Sequence, residues 1–281
     1  MKISFFPDLF GRLRRRWGWV AAQFGVTPLL ILVGLAWTRL PEKHVWQVAL
    51  SFLLPLLLAI SVLELQAGTM RSLADDDGKR VKLVWGAMTL AFWIAIGWAA
   101  WALLDWCDDR IPQWSDYIHS QAPPRVRAQL LTWAHLRTTM TDLEWVMRWV
   151  AVPGKIIPHA VATAQWGIRI PWRRVLRLLL NWRWWAAVVP AAWLAVALPA
   201  RFFAAEPSGT VQAQIWHVAL KLAATYLLAV GSWVLLLAWV AVLFSRQQPP
   251  AGEVYAQVPA LAGAPDEQKK AAVKLPLPES D

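Results

Sequence analysis

Four ionisable residues in one apolar stretch are the best candidates for chemistry in this chain. They lie within WVMRWVAVPGKIIPHAVATAQWGI (145–168), with Glu144 just ahead of it. At 100° per residue, Glu144, Arg148, Lys155 and His159 fall within about 60° of one another on an ideal helix. An ionisable side chain at membrane depth is costly and is expected to face a cavity or a partner. Pro153, Gly154 and Pro158 interrupt the same helix and free backbone carbonyls, as in the broken helices of transporters. The functional reading is a face for an anion or a lipid headgroup on a kinked helix. The plainer reading is a tilted or interfacial helix whose Arg148 and Lys155 reach the headgroups.

Other reactive residues form weaker patterns. Asp105, Asp108, Asp109, Asp116, His119 and His135 are gathered in 105–144, without HxxxH, HExxH or a comparable metal spacing. Such clustered acids are ordinarily solvated, and no metal or cofactor is expected. The single cysteine, Cys107, sits in DWCDD, where negative neighbours disfavour its thiolate. There is no glycine-rich phosphate loop and no GxSxG, so neither an ATPase nor a serine-hydrolase signature is present.

The elements that would position these residues follow from composition. The chain has 281 residues, of which 58% are hydrophobic and 22 are tryptophan; its mean hydropathy is +0.39. Apolar runs close to 20 residues match a helix crossing a hydrocarbon core of about 30 Å. The expected fold is therefore an all-α transmembrane bundle of six spans: 17–38, 45–66, 83–104, 145–168, 184–204 and 215–244. A basic amphipathic lead-in (1–16) precedes it, a polar loop fills 67–82, and a disordered tail follows from 245 to 281.

The net charge of +10 comes from clusters beside apolar runs, which suits anionic headgroups rather than nucleic acid. With six spans and both termini inside, the inside segments hold 18 Lys and Arg and the outside segments 7. Without a crossing at 145–168, the arginine-rich IRIPWRRVLRLLLNWR would lie outside, against the positive-inside rule. Short loops and the lack of a transit pattern point to a bacterial inner membrane.

Tryptophans and arginines crowd the expected inner boundary. Arg14, Arg15, Arg16, Trp17 and Trp19 mark the start of the first span; Trp182, Arg183, Trp184 and Trp185 mark the start of the fifth. All are expected to anchor at the headgroup level. Arg173, Arg174 and Arg177 alternate with leucines in a basic amphipathic helix that fits an anionic leaflet or a docking partner. VWQVALSFLLPLLLAIS (45–61) also aligns with IWHVALKLAATYLLAVG (215–231), and WGWVAA with WRWWAA, which suggests a duplicated hairpin. Three functional classes remain. A non-enzymatic scaffold or accessory subunit, with a membrane protein or a second copy as partner, ranks first. A small permease or lipid- or anion-handling transporter using the fourth span follows, and a membrane enzyme using the outside Asp and His groups is third.

Overall fold

The structure, a computed structural model, describes residues 5–41, 43–74, 83–129, 131–167, 170–205 and 209–247. Among these residues it is helical, with no strand. The helices are α1 (Phe5–Arg15), α2 (Trp17–Trp37), α3 (Val45–Ala74), α4 (Leu83–Asp108), α5 (Ile111–Gln121), α6 (Pro124–Gln129) and α7 (Trp133–Val146), then α8 (Val152–Trp166), α9 (Trp172–Leu179), α10 (Trp182–Ala192), α11 (Leu198–Ala204) and α12 (Val211–Ser245). Two π-turns, Met147–Ala151 and Trp193–Ala197, join α7 to α8 and α10 to α11 without breaking the rods.

Local chemistry sets the ends. Thr132, Thr210 and Asn181 accept backbone N–H groups at the starts of α7, α12 and α10. Gly167, at φ 62°, stops α8 in a conformation that a side chain would resist. Each π-turn is followed, one residue later, by a proline: Val152-Pro153 and Leu198-Pro199. A proline has no N–H to donate and its ring crowds the carbonyl of the preceding turn, and the wider π-turn accommodates both.

Five helices are long and apolar enough to cross a membrane: Trp17–Trp37, Val45–Ala74, Gly86–Asp108, Trp182–Ala204 and Val211–Ser245. The expected span at 145–168 is not among them. It nevertheless lies antiparallel along α4 through that helix's full length. Asp105 pairs with Arg148, Trp101 packs on Trp149, Ile156 touches Gly97, Trp93 stacks on His159, and Gly86 meets the Ala164 carbonyl.

The packed core lies at one end of the bundle, here called the basic end. It is built from Met70 and Leu73 of α3, Ala160–Ala164 of α8, Val175 and Leu178 of α9, Trp184 and Val188 of α10, and Leu236–Phe244 of α12. The first described helix and the end of the last one meet here. Asp8 of α1 and Arg246 after α12 form an ion pair at 2.9 Å, and Phe5 packs on Trp239. At the far end, α5 and α7 lie against each other beyond α4.

Two expected boundaries need correction. The polar loop does not begin at 67: α3 continues to Ala74, with Ala67, Gly68, Thr69, Met70 and Leu73 buried. The reason is tertiary packing, since this last stretch is covered by α4 and α8 and by the Trp19 ring on Gly68. Arg12 Nη1 also donates to the Leu73 carbonyl at 3.1 Å, as a cation does at a helix C-terminus. At the other end of the chain, residues 245–247 belong to the folded bundle; the rest of the expected tail, like 75–82, lies outside the described residues.

Candidate functional site

The ionisable face of the fourth apolar segment is built at the junction of α4, α7 and α8. Arg148 lies in the first π-turn. Its Nε donates to Glu144 one turn earlier, and its Nη1 donates to Asp105 at the end of α4. The guanidinium thus holds one carboxylate on its own helix and one on the neighbour. His159 is about three turns further toward the basic end. Its Nδ1 lies 2.6 Å from the Lys155 carbonyl, and since a carbonyl can only accept, Nδ1 carries the proton. The ring stacks between Trp93 and Trp172, at 4.5 and 5.7 Å between centroids. Lys155 is exposed, and no carboxylate among the described residues pairs with it. The four residues share a face as the spacing predicts, but Arg148 and His159 point into helix–helix contacts.

A second pattern runs through the bundle. A proline at position i+4 leaves the carbonyl of residue i without its helical donor. Pro28 does this to Phe24, whose carbonyl accepts the Tyr226 hydroxyl at 2.8 Å. Pro55 does it to Ser51, whose carbonyl accepts the Trp37 indole N–H at 3.0 Å. Pro158 does it to Gly154, whose carbonyl accepts the Trp184 indole N–H at 2.8 Å. In the π-turn the register lengthens by one, so Pro153 deprives Arg148, whose carbonyl accepts Trp101 Nε1 at 3.3 Å. In apolar surroundings an unpaired carbonyl is costly, and aromatic side chains of facing or neighbouring helices meet that need.

The Gly154 site joins two motifs far apart in sequence. The Trp185 ring lies where a Cβ on residue 154 would be, 2.5 Å away, while its own N–H donates to the Leu179 carbonyl at the end of α9. Gly154 therefore allows α10 to approach α8, and WRWW supplies both rings that lock the proline-interrupted segment.

The expected anchors divide accordingly. Arg14, Arg15, Arg16, Trp17, Arg173, Arg177, Trp182 and Arg183 are exposed at the basic end. Arg174 is half-buried, its guanidinium 6.0 Å from the Trp166 ring centroid. Trp19 lies over Gly68. Trp184, at 0% exposure, is a core residue, whereas its neighbour Trp182 is 72% exposed. The expectation that Trp184 anchors in headgroups is corrected: α10 begins at Trp182, and the 100° step turns residue 184 toward α8 while 182 faces out. In α9, Val175 and Leu178 are fully buried against the bundle, so this amphipathic helix docks on its own chain and shows its arginines outward.

Sequence reasoning missed a polar cluster linking α2, α3 and α12. The amides of Gln23 and Gln66 bond reciprocally at 3.3 and 3.2 Å, Gln23 Nε2 donates to Thr69 Oγ1 at 2.7 Å, and Trp233 Nε1 donates to Gln66 Oε1 at 2.7 Å. Glutamines in apolar helices are the signal that could have found it, because such side chains glue helices together. In the far-end segment, Asp116 accepts the Trp133 indole N–H and His119 Nδ1 bonds the Leu131 carbonyl at 2.8 Å. No group of three metal-binding side chains is found among the described residues.

These features define an all-α helical membrane bundle. No family model, no curated protein and no solved structure matches the chain.

Proposed function

We propose that this chain is a six-span protein of a bacterial inner membrane, with both termini cytoplasmic, serving as a non-catalytic scaffold or accessory subunit. The observation that carries the scaffold reading is the use of the fourth segment's charges. Arg148 ties α8 to α4 through Asp105, and His159 is stacked between Trp93 and Trp172. Groups that hold helices together are poorly placed to take up and release cargo.

The crossing count is supported by parity. Five crossings would put the start of α2 and the end of α12 on opposite faces, yet Asp8 and Arg246 form an ion pair. A sixth crossing restores agreement, and the rod α7–α8 lies along α4 where that crossing belongs. The basic end then faces the cytoplasm, and Arg14, Arg15, Arg173 and Arg177 meet the anionic leaflet, each worth about 1 kcal/mol near the surface. Its partner would be another membrane protein or a second copy. For the topology, Arg173→Cys in a Cys107→Ala background is expected to stay unlabelled by a membrane-impermeant maleimide in intact cells and to label after permeabilisation. Labelling from outside would overturn the six-span arrangement.

A second reading, a small anion or lipid transporter, rests on Lys155, which is exposed near the middle of the α4–α8 contact and unpaired among the described residues. The two readings separate in a thermal-shift panel of inorganic anions and phospholipid headgroup analogues on purified protein. The scaffold reading expects no stabilisation that depends on Lys155. A ligand-induced shift that Lys155→Ala abolishes, with the unliganded melting temperature unchanged, would establish the transporter reading instead.

A further inference from the structure

A groove of about 290 Å³ opens between α1, α10 and α12 at the basic end. Its walls are apolar: Phe6 and Phe10 from α1, Ala187, Pro190 and Leu194 from α10, and Trp239 from α12. Two residues with unmatched polar groups, Ala186 and Trp239, line one end of the groove, and Arg183 lies beyond that end along α10. Arg183 is exposed and lies on the same stripe of α10 as Ala187, Pro190 and Leu194, at intervals of four, seven and eleven residues. Ala186, which also lines the groove, carries the carbonyl that Pro190 leaves without its i+4 donor, and no side-chain donor among the described residues reaches it. Trp239 carries a buried indole N–H with no acceptor among the described residues. Because α10 and α12 form an antiparallel hairpin, Trp239 and Ala186 share the end near Arg183, and Leu194 and Ser232 share the other. At four other prolines in this bundle the freed carbonyl meets an aromatic donor, at Phe24, Ser51, Gly154 and Arg148. Here the Ala186 carbonyl has no such donor, and the Trp239 N–H is buried away from the open space of the groove.

We infer that this groove holds one anionic phospholipid. An acyl chain runs about 10 Å along α10 from Ala187 to Leu194. A glycerol hydroxyl of the headgroup donates to the Ala186 carbonyl, the Trp239 ring packs against the chain, and Arg183 faces the phosphate, aided by the adjacent N-terminus of α10. Charge chooses the occupant: an apolar furrow alone would take any chain, whereas the arginine beyond its end selects a negative headgroup. The inference needs only the membrane setting, so it stands apart from the crossing count and from the choice between scaffold and transporter.

The test is native mass spectrometry of the full-length protein in detergent, with dioleoylphosphatidylglycerol and dioleoylphosphatidylcholine as competing probes. One phosphatidylglycerol per chain is expected to be retained, preferred about fivefold, the effect of a single arginine beside an anionic lipid. Arg183→Gln is expected to erase the preference while leaving chain binding intact. Ala187→Trp fills the groove and is expected to remove the adduct of either lipid. Arg201→Gln, exposed in α11 at the opposite end of the α10–α11 rod, is expected to change neither. Equal retention of the two lipids by the wild type would overturn the inference, as would an unchanged preference in Arg183→Gln. So would displacement of the adduct by millimolar inorganic phosphate, or a dimer mass that Ala187→Trp abolishes. The Arg183→Gln comparison decides even if Ala187→Trp fails to fold.

Discussion

Trp184→Ala is expected to destabilise the bundle by about 3–5 kcal/mol, the cost of emptying a fully buried aromatic site. Trp182→Ala, two residues away, is expected to stay within about 0.5 kcal/mol, as for an exposed side chain. The contrast comes from one hydrogen bond and one close approach. Trp184 fills the space between α8 and α10, and its N–H serves the Gly154 carbonyl that Pro158 has stripped of its helical donor. The two contributions separate. Trp184→Phe keeps most of the volume and loses the bond, at about 1 kcal/mol, near the middle of what hydrogen bonds contribute between helices in membranes. In a Pro158→Ala background the Gly154 carbonyl regains a backbone donor, so Trp184→Phe is expected to cost the Trp184 side only. Reversible unfolding in mixed micelles, followed by far-UV circular dichroism, gives the four corners of this cycle. A coupling near zero between positions 158 and 184 would show that the bond does not answer to the proline. Gly154→Val tests the other half. Its Cβ would meet the Trp185 ring at 2.5 Å, so α10 must move away, and the loss is expected to be at least as large as overpacking usually brings, about 1–3 kcal/mol.

The same site shows where the sequence was readable and where it was not. Apolar run lengths place five of the six expected spans on helices long and apolar enough to cross, because bilayer thickness fixes that length and each residue adds locally to it. The amphipathic character of α1 and α9 is likewise local, and the structure keeps it. Pro28, Pro55 and Pro158 announce three orphan carbonyls to anyone who counts i+4, so the need for donors was legible there; at Pro153 the π-turn shifts the orphan from Trp149 to Arg148, which the count does not show. The suppliers were not. Tyr226 serves Phe24 from some 200 positions away, and Trp184 serves Gly154 from thirty; only the fold decides which tryptophan is turned inward. Composition places Trp182 and Trp184 in one class, although a two-residue step on a helix separates an exposed ring from a core residue. The partner of Arg148 was hidden for a related reason. Spacing put Glu144, Arg148, Lys155 and His159 together, but Asp105, which answers Arg148, lies on another helix. It was read with Asp108, Asp109 and Asp116 as a solvated acidic loop. The end of α3 was lost because its burial depends on α1, α4 and α8, and nothing within QAGTMRSL states that.

Arg148→Met is expected to cost about 2–3 kcal/mol, chiefly because it strands Glu144, whose side chain is 13% exposed and has no other cation beside it among the described residues. The two carboxylates are unequal partners. Asp105, at 65% exposure, can turn to water when its partner is lost, so Asp105→Asn is expected to cost less than about 1 kcal/mol, like other surface pairs. Glu144→Gln should fall between them, since the amide still accepts one bond from Arg148. The informative quantity is the coupling. Combining Arg148→Met with Glu144→Gln removes a charge of each sign, and the double variant is expected to be more stable than the sum of the two single losses predicts. Combining Arg148→Met with Asp105→Asn should come close to additive. The sign of these couplings also bears on function. A guanidinium kept for binding an anion would leave stability unchanged or improved when removed, because sites built for a missing ligand store unsatisfied charge. A guanidinium that welds α7 and α8 to α4 gives the loss stated here with no ligand added. Melting temperatures of Arg148→Met in detergent, measured without any anion beyond dilute buffer, therefore decide whether the most conspicuous charge in the fourth segment belongs to the architecture or to a cargo.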